Sequence, residues 1–283
     1  MPALSNAATQ QWLQWLSLHL VLFILVLTRL GMLLAAMPAV GRGVPMRIRG
    51  LLAITITALM LPTIATDNIG GEPLVSQLPP LNSLVDLAIA IGREALIGML
   101  MGTTVQLLIT GMQMAGELIG STGGMQLGAI NDPTSEGTFP VLSTLVGMLV
   151  TAVMLAIGGH RFMLDALLYS FQALPPGQMP DEDALLQLVV GQLSSGIVAG
   201  IRTAMPVVGA LLLSNLLTGL ISRTLPQINV LAIGLSLNAL AMLAVTTIMI
   251  GIAGFVFEEQ FGAATRGLMD WLNANDVSVA DVR

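Results

Sequence analysis

The chain lacks cysteine and lysine altogether among its 283 residues, and it has few charged residues of any kind. The absence of cysteine excludes disulfides, thiolate metal sites and cysteine nucleophiles. The two histidines, His19 and His160, stand far apart in the sequence, so no metal site is predicted. Charged residues make up 9% of the chain, against about 25% in soluble domains, and no basic stripe is present that would bind nucleic acid.

Apolar residues are what the chain has in abundance: they make up 55% of it, and the mean hydropathy is +0.87. A helix that crosses a membrane needs about 20 predominantly apolar residues. An amphipathic helix is predicted over residues 161–174, and long apolar runs cover residues 13–37, 51–65, 84–115, 141–158, 185–221 and 229–257. The pattern predicts an all-α, multi-span integral membrane protein with about six apolar helical segments.

The organisation of the chain follows from where these runs and the arginines lie. We predict a membrane-embedded part over residues 1–257 and a polar C-terminal tail over residues 258–283. The run at residues 185–221 is either one long bent helix or two shorter ones, because Arg202 and Pro206 divide it. The arginine-rich loop at residues 41–50 is expected in the cytoplasm, which places the N-terminus outside. The first residues lack the basic region of a signal peptide, so the first run is expected to be retained as a span.

Several charged residues lie inside the apolar runs, where an arginine costs roughly 2.5–3.5 kcal/mol on insertion scales. Arg93 and Glu94 are adjacent and point about 100° apart on a helix, so each needs its own partner on another helix. They form either a proton or ion relay or an ion pair that fixes helix or subunit register, and Arg202 has the same two interpretations. Glu117 is likewise predicted to lie in a buried ion pair or at a contact of the assembly. Arg29 is expected to snorkel toward the membrane surface.

Glycines recur at a spacing that favours close packing of helices. Gly98 and Gly102 form one G-x-x-x-G pattern, and Gly196 and Gly200 form another. This spacing lets two helix backbones approach closely, so that van der Waals contacts replace the hydrophobic driving force that lipid does not provide. We predict tight contacts between helices at these four positions.

The segment "GELIGSTGGMQLGAINDPTSEGTFP" at residues 116–140 interrupts the apolar runs with poor helix formers. It is either an ordinary cytoplasmic loop or non-helical backbone that borders a water-filled passage, because unpaired backbone groups do not face lipid. Apolar side chains among glycines favour the second interpretation, since they close a wide channel by dewetting and yield to a passing polymer. The predicted pore constriction consists of Gly120, Gly123, Gly124, Met125, Leu127, Gly128 and Ile130.

Motifs of enzymes are missing from the sequence. It contains no H-E-x-x-H, no G-x-x-x-x-G-K-S/T and no G-x-S-x-G. Asp132 and Glu136 are four residues apart, but Pro133 intervenes and Gly137 follows, so they are not expected to share a helical face. The sequence therefore predicts neither catalysis nor a cofactor.

Four segments of the sequence carry motifs that occur together in one known family. Residues 36–53 contain a basic loop with V-P-x-R-x-R, residues 115–142 an A-G-E helix end and a D-P loop, and residues 158–177 a G-H stretch followed by an apolar helix that ends in L-P-x-G. Residues 205–234, "MPVVGALLLSNLLTGLISRTLPQINVLAIG", contain a P-V pair, an asparagine-bearing helix and a P-Q-hydrophobic-N turn. In these motifs and their order the chain resembles the FliR/SctT family of type III export gate subunits. The chain departs from the family at Gly158 and Ser222, where asparagine is common, and after Gly234. The loop has Met125, Leu127 and Ile130 where the family often has phenylalanine.

The resemblance implies a subunit of a type III export gate in the bacterial inner membrane. Injectisome relatives share much of the pattern, and the V-P-x-R-x-R and A-G-E matches favour the flagellar system, with the gate in the basal body. The resemblance implies kinked helical hairpins, assembly with FliP-like, FliQ-like and FlhB-like subunits, and passage of unfolded secreted substrates. It also implies a plug loop over residues 120–132. Two other hypotheses are a secondary transporter that uses Arg93, Glu94 or Arg202 to bind a solute or couple protons, and a scaffold whose loop never gates.

Overall fold

The computed structural model describes residues 2–38, 44–66, 68–69, 72–73, 78, 83–123, 141–224 and 230–281. A minimal antiparallel pair joins β1 (Asn68–Ile69) to β2 (Glu72–Pro73), with Asn68 opposite Pro73. All other regular structure in these residues is helical, which confirms the all-α prediction. The helices are α1 (Pro2–Ala36), α2 (Met46–Thr66), α3 (Leu84–Thr122), α4 (Val141–Ala156), α5 (Gly159–Ala173), α6 (Glu182–Thr224) and α7 (Val230–Asp281).

Local sequence signals explain where two of the long helices begin. Ser83 and Asp86 form a reciprocal capping box, in which the Asp86 N–H donates to Ser83 Oγ at 3.2 Å and the Ser83 N–H donates to the Asp86 carboxylate at 3.1 Å. Asp181 caps α6 by accepting the N–H of Ala184 at 3.2 Å. These contacts satisfy backbone donors that have no partner inside the helix.

Two features that the sequence left open are settled by the helix bounds. α6 is one helix from Glu182 to Thr224 that contains Pro206 in its interior. α7 continues as helix to Asp281, so the predicted polar tail is helical over its described residues. α4 and α5 are separated at Gly158, which has a φ of 78° and lies in the left-handed region that favours glycine.

The chain divides into two units, each with an apolar core of its own. Unit 1 comprises residues 1–106, 160–189 and 266–283, and its core includes Leu22, Leu25, Leu30, Leu33, Ile97, Met101, Met163, Leu167, Phe171, Leu268 and Leu272. Unit 2 comprises residues 107–159 and 190–265, and its core includes Leu108, Met112, Ile119, Val146, Val150, Met154, Ala199, Leu211, Phe257 and Phe261. Within unit 1, α1 packs against α2.

Several helices are long and apolar enough to cross a membrane. Among the described residues these are Leu18–Ala36 in α1, Met46–Ile64 in α2 and Glu182–Ile221 in α6, and the bent pair of α4 and α5 provides a fourth span if it is counted as one. The multi-span membrane class that composition predicts is therefore confirmed.

Candidate functional site

The last turn of α3 leads into the predicted constriction. The helix ends at Thr122, and the Gly123 N–H still donates to the carbonyl oxygen of Ile119 at 2.9 Å. The hydroxyl of Thr122 donates back to Leu118 O at 2.7 Å, and Gly120 is buried in this turn. The other residues predicted for the constriction lie outside the described residues, namely Gly124, Met125, Leu127, Gly128 and Ile130.

A polar side chain of α6 contacts the end of α3 inside unit 2. Asn215 donates its Nδ2 to the carbonyl oxygen of Thr122 at 3.4 Å. The last carbonyls of a helix have no partner inside the helix, so Asn215 caps the point where the predicted constriction begins. Asn215 was not predicted for the site. The signal that would have found it is an asparagine in the largely apolar stretch at residues 211–217 of α6.

Glu117, close to the same end of α3, is exposed. In the parts of the chain that the structure describes, no side chain forms an ion pair or hydrogen bond with its carboxylate. The chain by itself therefore does not bury Glu117, and burial of this residue in an assembly stays a prediction.

A buried ion pair forms in unit 1 between α1 and α3. Arg29 Nε donates to Glu94 Oε2 at 2.6 Å and Arg29 Nη2 donates to Glu94 Oε1 at 3.1 Å, and both side chains have no exposure to solvent. Arg29 Nη1 donates to the carbonyl oxygen and the hydroxyl of Ser170, and Nη2 also donates to Leu174 O at 3.1 Å. All five guanidinium N–H groups thus have acceptors. The expectation that Arg29 snorkels is wrong, because its partners lie inside the unit.

The same guanidinium stabilises the C-terminal end of α5. Ser170 and Leu174 supply carbonyls at that end, where a helix carries partial negative charge and attracts a cation. Arg29 also lies over the ring of Phe171, with its Cζ 4.3 Å from the ring centroid. The ion pair therefore ties three helices of unit 1 together.

The adjacent residues Arg93 and Glu94 both bind the turn after α5. Glu94 Oε1 accepts the N–H of Gly177 at 2.8 Å, and Arg93 Nη1 donates to the Gly177 carbonyl at 2.9 Å. Gly177 has a φ of 85°, a conformation that side chains rarely adopt. Two side chains that diverge on α3 thus hold the two polar backbone groups of one residue. Sequence reasoning missed Gly177, although the run "LPPG" is a turn signal.

The other predicted intramembrane charge, Arg202, behaves differently. Its Nη1 donates to Glu259 Oε1 at 3.0 Å within unit 2, and the two side chains are 53% and 50% exposed. The chain by itself does not bury Arg202, because both partners stand on the unit surface. Its burial against another subunit stays a prediction.

Close helix contacts occur at the first predicted glycine pair. A Cβ on Gly98 would overlap the carbonyl oxygen of Arg29 on α1. A Cβ on Gly102 would lie 2.5 Å from the Cβ of Ala36 and 2.7 Å from Leu33 O. Only glycine lets α3 approach α1 this closely, and the approach brings Arg29 within reach of Glu94.

A second close contact joins α3 and α6 in unit 2. A Cβ on Gly196 would lie 2.6 Å from Leu107 O, and one on Gly200 would overlap the carbonyl of Gly111. Gly111 in turn packs against the backbone of Gly196. Gly111 was not predicted for a close contact, although Gly111 and Ala115 form the small-x-x-x-small spacing that marks such contacts.

The sequence of the chain matches one family of known proteins over most of its length. The family model described as "Bacterial export proteins, family 1" matches residues 20–264. The flagellar biosynthetic protein FliR of Escherichia coli is 30% identical over 236 residues, which cover 82% of this chain and 84% of that protein. The protein of the same name from Caulobacter vibrioides is 26% identical over 84% of this chain and 91% of its own length. The secretion system apparatus protein SsaT of Salmonella typhimurium is 25% identical over 53% of this chain and 58% of its own length.

The family match covers most of the chain, and it includes the helices that form the buried network and the end of α3. FliR proteins and SsaT both match, so the similarity extends over flagellar biosynthesis and a second secretion system. The chain belongs to family 1 of the bacterial export proteins, the FliR/SctT family, and is a subunit of a type III protein export apparatus.

Proposed function

We propose that this chain is a non-enzymatic subunit of the flagellar type III export gate and forms part of the channel for unfolded substrates. The observation that carries the proposal is the apolar surface of α6. The stretch Glu182–Ile221 has a mean hydropathy of 1.9, and only 22% of its apolar window is buried inside the chain. Large exposed side chains recur along it, including Leu186, Val190, Leu193, Met205, Leu212, Leu213 and Leu216.

The length of this surface favours partners made of protein. A helix of 40 residues has a contour length of about 60 Å, whereas the hydrocarbon core of a bilayer is about 30 Å thick. Lipid covers only part of such a surface. The remainder requires apolar surface from other chains, which supports a closed assembly with FliP-like and FliQ-like subunits and an attached FlhB-like subunit in the inner membrane.

The predicted plug is assigned to residues 120–132. α3 reaches the plug as an ordered helix whose last carbonyl is capped by Asn215, so the plug begins at a fixed point. A glycine-rich segment that starts at a fixed helix end suits a plug, because a passing polypeptide can displace such a segment and the segment can then move back into place. Met125, Leu127 and Ile130 are the proposed sealing side chains, which exclude water when the path is empty.

A secondary transporter receives no support from the charged residues. Arg29 uses every donor within unit 1, and Glu94 is occupied by Arg29 and Gly177. Arg202 is paired with Glu259. A coupling residue needs a free position for a solute or proton, and the buried pair of Arg29 and Glu94 offers none, because several contacts hold it.

The first experiment tests the assembly. The tagged chain is expressed together with the FliP-like, FliQ-like and FlhB-like proteins and purified in mild detergent. We expect a stable complex that contains FliP-like and FliQ-like subunits. Isolation of this chain as a monomer or dimer with saturable uptake of a small solute would contradict the proposal.

The second experiment tests the plug. Deletion of residues 123–129 is expected to leave the complex intact and to make vesicles that contain it permeable to ions and small solutes. Gly267→Ala is the control, because Gly267 lies on α7, outside the proposed α6 surface, and a Cβ there meets open space in unit 1, so permeability should be unchanged. If vesicles with the deletion were no more permeable than wild-type vesicles, residues 120–132 would be an ordinary loop and not a plug.

A further inference from the structure

The helix α2 is attached to unit 1 by one narrow face. Its buried residues recur at every third or fourth position, which places them on one stripe of the helix, and they are Ala53, Thr57, Met60 and Ile64. The helix packs against α1. Only 17% of the apolar window in Met46–Ile64 is buried, so the chain itself leaves most of this helix uncovered.

The uncovered side of α2 presents hydrocarbon. Leu51, Ile54 and Leu59 are 65%, 47% and 78% exposed. Thr55 is exposed as well, but its hydroxyl donates to the carbonyl oxygen of Leu51 at 2.8 Å within the helix. The middle of this side therefore needs no hydrogen bond from water.

The length of α2 suits a bilayer, whereas the length of α6 does not. The 19 helical residues of Met46–Ile64 extend about 28 Å, and the hydrocarbon core of a bilayer is about 30 Å thick. The apolar stretch of α6 is about twice as long and exceeds the bilayer. Lipid alone is therefore sufficient to cover the uncovered side of α2, and no protein partner is required there.

The start of α2 carries positive charge without a matching carboxylate. Arg47 is exposed in the first turn, and within the described residues no carboxylate forms an ion pair with it. Arg49 donates its Nη2 to the carbonyl oxygen of Val44 at 3.2 Å, which holds this second guanidinium at the same end. The N-terminal end of a helix is itself partially positive, so arginines at this end do not stabilise the helix. An anion at this end would offset both sources of positive charge.

We propose that the uncovered side of α2 contacts lipid and that Arg47 and Arg49 bind the headgroup phosphate of an anionic phospholipid at the start of this helix. Arginines at a membrane surface attract anionic lipids, and a span of bilayer length places its first turn at the depth of the headgroups. The inference requires a chain that spans the membrane, and it does not require a plug or an export path.

The first measurement identifies what covers α2. The chain has no cysteine, so Leu59→Cys provides one site for a nitroxide spin label. The labelled chain is reconstituted in vesicles of phosphatidylcholine and phosphatidylglycerol, once with cysteine-free partner subunits and once by itself. We expect oxygen, which dissolves in lipid, to relax the label in both samples, and a water-soluble nickel chelate to leave it unaffected. A label at Glu182→Cys, an exposed charged position, is the control that the chelate should reach.

Two results of this measurement would overturn the lipid contact. Protection of the Leu59→Cys label from both reagents in the complex would show that a partner subunit covers α2. Relaxation by the nickel chelate would show that this side of α2 faces water. If no complex forms, the export-gate proposal fails, but the chain reconstituted by itself still tests the lipid contact.

The second measurement tests the headgroup site. Ile48 lies between the two arginines and is 53% exposed, so Ile48→Cys carries a fluorophore at the start of α2. Its quenching is compared for phosphatidylglycerol and phosphatidylcholine that bear a nitroxide on the acyl chain. The quenching constant for phosphatidylglycerol should be the larger, and Arg47→Gln should lower the ratio of the two constants about fivefold at low ionic strength. Arg47→Lys keeps the charge and should keep most of the preference.

A matched control removes one exposed arginine elsewhere in unit 1. Arg266→Gln on α7 should leave the ratio at the Ile48→Cys fluorophore within error of the parent. An equal fall with Arg266→Gln would show a general effect of net charge and would overturn the site. The same ratio in the parent and in Arg47→Gln would also overturn it.

Discussion

The Nε atom of Arg29 lies 2.6 Å from a carboxylate oxygen of Glu94, and neither side chain is exposed to solvent. The two residues are 65 positions apart, on α1 and α3. Removal of two charges from water is costly, and their attraction offsets the cost only when the remaining donors and acceptors are also satisfied. Here Ser170, Leu174 and Gly177 supply those contacts, so the pair is part of a closed network inside unit 1.

This network predicts strong coupling between its two charges. Arg29→Met or Glu94→Leu alone is expected to lower the free energy of unfolding by about 3–5 kcal/mol, because each leaves one charge buried without its partner. The double variant should lose clearly less than the sum of the two single losses. Chemical denaturation in detergent measures the three values as a double-mutant cycle. Additive losses would show that the two charges are not coupled.

The pair Arg202 and Glu259 provides the opposite case. Both side chains are about half exposed, so solvent screens their attraction. In the purified single chain, Arg202→Met or Glu259→Leu should change the free energy of unfolding by less than about 1 kcal/mol. The same denaturation assay applies. A loss as large as that for Arg29→Met would mean that the pair is structural in the chain itself.

Arg93 and Glu94 are predicted to act on assembly rather than on transport. Arg93→Ala removes one hydrogen bond to the carbonyl of Gly177, and Glu94→Ala also leaves Arg29 without its counter-charge. Both variants should therefore reduce the yield of co-purified complex, with Glu94→Ala the more severe. Secretion of an exported substrate, divided by the amount of complex, should change little. A normal yield with reduced secretion per complex would instead favour an ion relay.

The close contact between α1 and α3 at Gly98 can be tested with two substitutions on α3. Gly98→Ala is expected to cost about 1–3 kcal/mol of unfolding free energy, because its Cβ would meet the carbonyl of Arg29 and force the helices apart. Gly92→Ala on the same helix is the control, since a Cβ there meets open space. That control should be neutral or stabilising by up to about 1 kcal/mol, because alanine favours a helix more than glycine does. Equal effects of the two variants would argue against a close contact.

Composition and periodic runs were sufficient to predict the class of this protein. Backbone polar groups at bilayer depth must find partners inside the protein, and apolar runs of about 20 residues with little charge indicate helices that span the membrane. Helix starts were also readable locally, as the capping box of Ser83 and Asp86 shows. The bounds were less readable: α3 extends to Thr122 and α6 runs through Pro206, because packing and neighbouring helices outweigh local propensity.

Partners of the charged residues were beyond the reach of the sequence. The pattern indicated that Glu94 needs a partner on another helix, but Arg29 was assigned to the membrane surface. The pairing depends on Gly98 and Gly102, which let α1 approach α3 closely.

The sequence by itself determined that this is a helical membrane protein of the bacterial export family, because hydropathy and local motifs are properties of neighbouring residues. Tertiary structure alone decided that Arg29 and Glu94 are enclosed together while Arg202 and Glu117 stay exposed. The physical reason is that burial of a charge depends on contacts between distant segments. Such contacts are fixed by how closely helices approach, and a single stretch of sequence does not record that distance.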